Sequence, residues 1–587
     1  MCALMVAALG TGHCARAAGR ATELPKGVVV TYATGPDAFK MGCYRDGMSA
    51  VVEADGPGFT RAIRTTNPKI GAPWNMEAQC PLKAAINKGD AMLMTFWARV
   101  ITTTQESEQA VFSAYCQQAA APWRKSLNRE FTVGSEWREF LLPFRAVVDC
   151  PAGTATLGFM TGQAEQTVEF GGARLVSYGP DVKLVDLPQT VVTYEGRDPR
   201  APWREAAGER IRRHRMAPYR VRVVDAAGQP VPGAEVRVRM TRHAYEFGMA
   251  FPAPLAVKDD KGSAALREKL PELFNAGSFV NALKWPPTAG DWGPRNDEVL
   301  QPGLEWAKRN GIRMRGHVLV WPGRAHVARS VLPLIEQRDA PGIRRAVLEH
   351  IDDITVRTRG HLVEWDVLNE PYSNRDLTDI CGRRVMVEWF ERACRNLPGV
   401  ALALNDYGIL ASLTKSPHQT HFEETIAFLL KEGAPLDVIG MQGHFGGTVP
   451  SPAEMLATLE RFARFGLPIR VTEFTVGGSD PQLQADFLRD CLTLVFSHSA
   501  TVGFQVWDTK QFFDRETGAE RPMAGIWRQL VLKTWWTDKT GRTGVDGLLA
   551  GRGYLGSYQL TVTHDGTTAS VPVALARDSK PFTIVLP

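Results

Sequence analysis

The sequence predicts an α/β protein: a (β/α)8 TIM barrel, preceded by a jelly-roll β-sandwich and flanked by a small β-sandwich that is split between its two sides. Three observations predict it. Between about Tyr245 and Lys533, eight apolar strand-like runs alternate with helical stretches. Before them, residues 25–180 carry short alternating runs with little helical periodicity. Finally, an alternating piece on each side of the barrel is too short to close a core by itself.

The first residues, MCALMVAALGTGHCARAAG, hold a short apolar stretch from Ala3 to Leu9, and Ala15 and Ala17 are spaced as in an A-x-A cleavage site. Residues 1–22 are therefore read as a signal peptide lacking a basic start, so that a secreted or periplasmic protein is expected. No later run approaches twenty apolar residues, so no membrane span is expected. The net charge of +5 on 587 residues is scattered, which argues against a nucleic-acid partner. None of the nine cysteines has C-x-x-C spacing, so no zinc site is expected. Cys43, Cys80, Cys116 and Cys150 share the first module, where four cysteines allow three disulfide pairings.

In residues 25–180 the runs VVVTYA, MLMTFWARV, WREFLLPF and VEFGGARLVSY have the rhythm of a β-sandwich. They resemble jelly-roll carbohydrate-binding modules, and Trp74, Trp97, Trp123 and Trp137 are candidates for stacking on sugar rings or for packing. Residues 181–218 read as a Pro- and Arg-rich linker with one amphipathic helix, and its cluster Arg210, Arg212, Arg213, His214 and Arg215 reads as a solvated face. Residues 219–244 and 536–587 resemble the two parts of one carboxypeptidase-regulatory or transthyretin-like sandwich, with the barrel, residues 245–535, inserted between them.

The barrel runs are YEFGMAF, SFVNAL, RMRGHVLVW, VEWDVL, VALALN, LDVIGMQ, PIRVTEF and TVGFQVW. In such a barrel the active site lies at the C-terminal ends of the strands. Glu370 follows the fourth run and Glu473 ends the seventh, about a hundred residues later. A pair of carboxyls so placed is what glycoside hydrolysis requires: one protonated to assist the leaving oxygen, the other ionised about 5 Å away to attack the anomeric carbon.

The pieces NALKW, RGHVLVW, WDVLNEP, LNDYG, GMQGHF, VTEF and VW, in that order, resemble glycoside hydrolase family 10, whose usual activity is retaining endo-β-1,4-xylanase. The resemblance implies that Glu370 is the general acid/base and Glu473 the nucleophile. It implies that Asn369 bonds the 2-hydroxyl of the reacting sugar, that Asn281, Lys284 and His317 contact sugar, that Gln442 and His444 position the nucleophile, and that Trp321 and Trp507 are aromatic platforms of the cleft. It implies no metal or organic cofactor, a xylan-like polysaccharide as the partner, and a monomer. The chain departs from the family at Val280, where a sugar-contacting glutamate is usual, at Thr475, where an aspartate usually joins the histidine and nucleophile, and at Pro322, often a histidine. These departures leave two alternatives open: a glycan-binding protein with weak or no catalysis, or the same fold acting on another β-linked glycan.

Overall fold

The computed structural model describes residues 26–32, 39–43, 47–293, 296–412, 416–478 and 480–586. The leader read at residues 1–22 lies outside them. No helix among the described residues is long and apolar enough to cross a membrane.

The barrel strands are Glu246–Phe251, Ala276–Phe279, Arg313–Gly316, Leu362–Asn369, Ala401–Asp406, Val438–Met441, Ile469–Val476 and Thr501–Val506. Each pairs in parallel with the next, and the eighth returns to the first, so the sheet closes. Helices between the strands start where the local chemistry says they should. Asp260, Asp339, Ser416 and Asp480 each accept a backbone N–H of the first turn, and Ser451 with Glu454 forms a reciprocal capping box ahead of Pro452. Helix Val385–Asn396 then buries Val385, Met386, Trp389, Phe390 and Ala393, the stripe a helix turns toward a sheet.

The N-terminal module is two antiparallel sheets packed face to face, with Ala91–Thr103 and Gln166–Ser177 central in one and Ala155–Met160 and Ala110–Gln118 in the other. Trp74 and Trp123 are 57% and 52% exposed, whereas Trp137 packs edge-on to Phe59 beneath Arg99. Cys116 and Cys150 are buried free thiols, and Cys80 is buried in the same core.

The segments flanking the barrel meet in the same sheets. Glu235–His243 pairs antiparallel with Gly556–His564, while Met216–Val224 lies between Leu548–Tyr554 and Phe582–Val585. The latter strand starts before residue 219 despite Pro218. Its second neighbour begins only at Val221, so the missing proline N–H interrupts no ladder on that side.

Residues 181–218 are pinned rather than loose. Tyr194 and Arg204 bond Asp490 and Arg197 bonds Asp486, both on barrel helix Pro481–Ser497, and a helix spans Trp203–His214. The basic cluster there is not all solvated. Arg215 donates to the Phe496 and Thr501 carbonyls and lies over the Tyr245 ring, and Arg210 bonds Ser497. The reason is tertiary: helix Pro481–Ser497 ends with carbonyls that need donors, and Arg215 reaches them.

Candidate active site

Inside the barrel, charges replace the usual apolar filling. Arg470 bonds Glu246 at 2.6 Å and Glu364 at 2.9 Å, and Arg315 bonds Glu364 at 2.5 Å and Asp366 at 2.6 Å. All five are buried. The ladder ends at the active face, where the second oxygen of Asp366 takes His317 Nδ1 at 2.9 Å and orients its ring. His317 Nδ1 also lies 3.8 Å from Glu473 Oε1.

Glu473, 3% exposed, is held on two sides. Asn405 Nδ2 donates to its Oε1 at 2.8 Å, and His444 Nε2 lies 3.3 Å from its Oε2. Burial alone would protonate this carboxyl, but the charge of His317 and the bonds from His444 and Asn405 overcome burial and pull its pKa down to about 2. It stands ionised at neutral pH.

Glu370, 5% exposed, is the opposite case. Burial, then the neighbouring carboxylates Glu106, Asp406 and Glu473, push its pKa well above the usual carboxylate value, against a bond from Gln442. Its surroundings favour the protonated form, the form that can donate. Its backbone is left-handed, φ +53°, a conformation that costs a glutamate about 1–3 kcal/mol. The Glu370 N–H bonds the Asn405 carbonyl at 2.9 Å and the Asn374 N–H bonds the Glu370 carbonyl at 3.1 Å, which fixes the turn.

The structure brings the other sequence-selected residues to this face. Lys284 Nζ bonds Asn281 at 3.0 Å and sits 5.2 Å from the centre of the Trp321 ring. Burial lowers the lysine pKa, against the pull of Glu473, Glu106 and Glu370. Trp321 stacks on His326 at 3.5 Å, and beside them opens a cavity of about 220 Å³ lined also by Trp285 and Trp292. Trp507 meets the His317 ring edge to face at 5.1 Å. Asn369 accepts from Asn405 at 2.9 Å and keeps its own buried Nδ2 unbonded.

One expected role changes. Gln442 does not touch the nucleophile position: its Nε2 donates to Glu370 Oε1 at 2.8 Å and lies 3.4 Å from Asn369 Oδ1, so it positions the other carboxyl. Strand six points Gln442 toward strand four, while His444, on the short extension that pairs with Thr475 and Val476, faces strand seven. Asn405, at the end of strand five, is the nucleophile's amide partner. The run LNDYG placed it at a strand end, but only the closed barrel shows which carboxyl it meets. At Thr475 the hydroxyl meets His444 Nδ1 at 2.9 Å, a neutral partner. Val280 is half-buried, with its N–H bonded to Phe251.

Among the described residues no cluster of His, Cys, Asp and Glu is arranged to hold a metal ion. The fold and site thus define a (β/α)8 barrel whose C-terminal face holds two buried carboxyls with pKa values driven apart, Glu370 up and Glu473 down. The profile "Glycosyl hydrolase family 10" matches residues 239–517, the stretch that holds all eight barrel strands. Among curated relatives, Endo-1,4-beta-xylanase 1 of Arabidopsis thaliana is 28% identical over 58% of this chain and 35% of its own length. Anti-sigma-I factor RsgI6 of Acetivibrio thermocellus is 26% identical over 62% of this chain and 47% of its own. The chain therefore spans between about a third and a half of these relatives. A solved Clostridium thermocellum structure, the N-terminal endo-1,4-beta-D-xylanase 10B CBM22-1-GH10 modules complexed with xylohexaose, is 14% identical. It covers 87% of this chain and 98% of that one at a TM-score of 0.41.

Proposed function

We propose that this chain is a secreted retaining endo-glycosidase that hydrolyses β-1,4-xylan or a related β-linked plant polysaccharide by double displacement. One observation carries the reading: the two buried carboxyls at the ends of strands four and seven sit in surroundings that drive their pKa values apart, Glu370 up and Glu473 down, as an acid and a nucleophile require.

In the first step the Glu370 carboxylic acid gives its proton to the glycosidic oxygen as that bond breaks. Glu473 attacks the anomeric carbon and forms a glycosyl ester. In the second step Glu370, now a carboxylate, takes a proton from water as the water oxygen attacks the same carbon and the ester breaks, which restores both groups. Loss of the Glu473 charge after the first step removes one carboxylate from beside Glu370 and eases its ionisation when it must become a base. The unbonded Asn369 Nδ2 and the unbonded buried Gln442 Oε1 are a donor and an acceptor awaiting hydroxyls, a pattern that fits a sugar between them. Trp321, Trp507 and the cavity beside Lys284 suit the apolar faces of pyranose rings.

The test is reducing-end release from xylan, arabinoxylan, glucuronoxylan and mixed-linkage glucan, with retention of configuration followed by NMR. Glu370→Ala and Glu473→Ala should each lower turnover by at least about 10²-fold with unchanged thermal unfolding. Turnover that survives both substitutions rules the mechanism out.

A further inference from the structure

The turn between sandwich strands Ala91–Thr103 and Ala110–Gln118 lies on the active face of the barrel. Glu106 Oε2 is 3.0 Å from His444 Nε2, the same nitrogen that lies 3.3 Å from Glu473. Glu108 Oε1 is 3.0 Å from His418 Nδ1, and its second oxygen accepts the Ser412 hydroxyl at 3.1 Å. Across Thr448 the contact is a small lattice. The Thr448 N–H donates to Gln109 Oε1 at 3.1 Å and Thr132 Oγ1 at 3.0 Å, the Gln109 amide returns a bond to the Thr448 carbonyl, and Arg138 bonds the Thr448 hydroxyl. Gly446 lets the two surfaces close: a Cβ there would stand 2.3 Å from Gln109 Oε1.

The position of Glu106 is what matters chemically. A single His444 N–H faces two carboxylates, one of them the candidate nucleophile. The Glu106 charge also acts on Glu370 and on Lys284, so this carboxylate occupies space that a reacting sugar would need. His444 lies within ion-pair distance of it and Lys284 feels its charge, while Glu370 feels it as a like charge. Its side chain is still 43% exposed, so it reaches in from the open side of the cleft, the side from which a glycan arrives. A polar turn that swings away uncovers the site without disturbing the barrel, because none of its bonds belongs to the barrel's own ladder.

We propose that the loop Gln105–Gln109 is an intramolecular plug of the cleft, in which Glu106 competes with the reacting sugar for the space beside His444 and Glu473. The inference rests on the reading of the site as a glycosidase. Substrate must displace the loop, so the protein's apparent affinity is its intrinsic affinity reduced by the fraction of molecules with the loop withdrawn. The N-terminal sandwich is then a regulator of the catalytic face.

The experiment uses the full chain and xylohexaose. Glu106→Ala and Glu106→Gln should lower KM by about 10-fold with kcat within about twofold of wild type, the signature of a removed competitor. A fall in kcat, or an unchanged KM, overturns the plug, since a positioning residue or an idle contact behaves that way. A second variant, Gln109→Cys/Thr448→Cys, reads docking directly. It should cross-link on oxidation, less so when xylohexaose is present, and the cross-linked protein should lose hydrolysis until it is reduced. Absence of the cross-link, or full activity with it in place, also overturns the proposal. Should the wild type hydrolyse no glycan, the glycosidase reading fails by itself. Calorimetry then decides the plug: tighter xylohexaose binding by Glu106→Ala supports it, and equal affinity, including none in either protein, overturns it.

Discussion

Between the sheets of the N-terminal sandwich, Phe96, Phe112, Phe140, Phe159 and Phe170 pack ring on ring, with Phe159 and Phe170 stacked at 4.0 Å and Phe96 and Phe140 at 5.0 Å. At similar burial inside the barrel stand Arg315, Arg470, Glu246, Glu364 and Asp366. The sandwich interior has one task, to exclude water, and any apolar group of the right volume does it. The barrel interior must also end in a polar face at a defined height. Its ion ladder carries orientation from the floor up to His317, which a greasy core could not do. Such a ladder is costly to assemble, since each charge is stripped of water, and contributes specificity more than stability.

Two substitutions bear hardest on that contrast. Phe96→Ala should cost about 3–5 kcal/mol of sandwich stability through lost burial and a cavity. Arg315→Met should cost a similar 3–5 kcal/mol, because it leaves Glu364 and Asp366 short of a partner. Denaturant unfolding measures both, but activity of the folded protein separates them. Arg315→Met should slow turnover by freeing Asp366 and so His317, whereas Phe96→Ala should leave kcat unchanged wherever the protein remains folded. Equal effects on kcat would mean that the ladder is only filling.

A smaller effect probes the seam between the two regions. His418 is buried, which disfavours its charge, but Asp406 and Glu108 on either side raise its pKa to about 9 from 6.5. A raised histidine stabilises the folded state fully below about pH 6.5, and that contribution is lost as pH climbs through about 9. Glu108→Gln should therefore destabilise the protein by about 1 kcal/mol at pH 6, the partly exposed Glu108 limiting the loss, and by little at pH 10. Denaturation at the two pH values checks the difference, and a penalty that persists at pH 10 excludes the ion pair as its source.

The smallest expected effect concerns the pH–activity curve. Activity requires Glu473 ionised and Glu370 protonated, so the acid limb lies near the depressed Glu473 value of about 2 and the alkaline limb lies above the ordinary carboxylate range. Glu106→Gln removes an anion facing Glu370 while Asp406, Glu473, Gln442 and Asn374 remain, so the alkaline limb should move to lower pH. A kcat/KM profile of the variant, which reports the free enzyme with the loop in place, reads this shift, and movement upward would contradict the placement of Glu106.

Much of the fold was legible because it is written in local periodicity. The eight runs from YEFGMAF to TVGFQVW each became a barrel strand, and caps such as Ser451 and Asp480 mark helix starts within a few residues of sequence. The site residues were chosen from the resemblance of their motifs, and Glu370, Glu473, Asn369, Lys284, His317, His444, Trp321 and Trp507 lie together at one end of the barrel. Gln442 was assigned to the wrong carboxyl because a strand's alternation says that a side chain points inward, not which neighbour it meets. Arg215 was read as solvated because a basic helix end looks the same whether water or another helix's carbonyls receive it.

The sequence by itself determined the barrel, since its strands and helices follow from spacing of two or of three to four along the chain, and it placed Glu370 and Glu473 at strand ends; the residues around them came from the resemblance of their motifs. Only the tertiary structure decided how the charges divide between Glu370 and Glu473, because desolvation and neighbouring ions depend on all eight strands at once. Only it could bring Glu106 to His444. Gln109 and Thr448, 339 residues apart, meet where two separately built surfaces dock, and docking between surfaces leaves no period in a sequence.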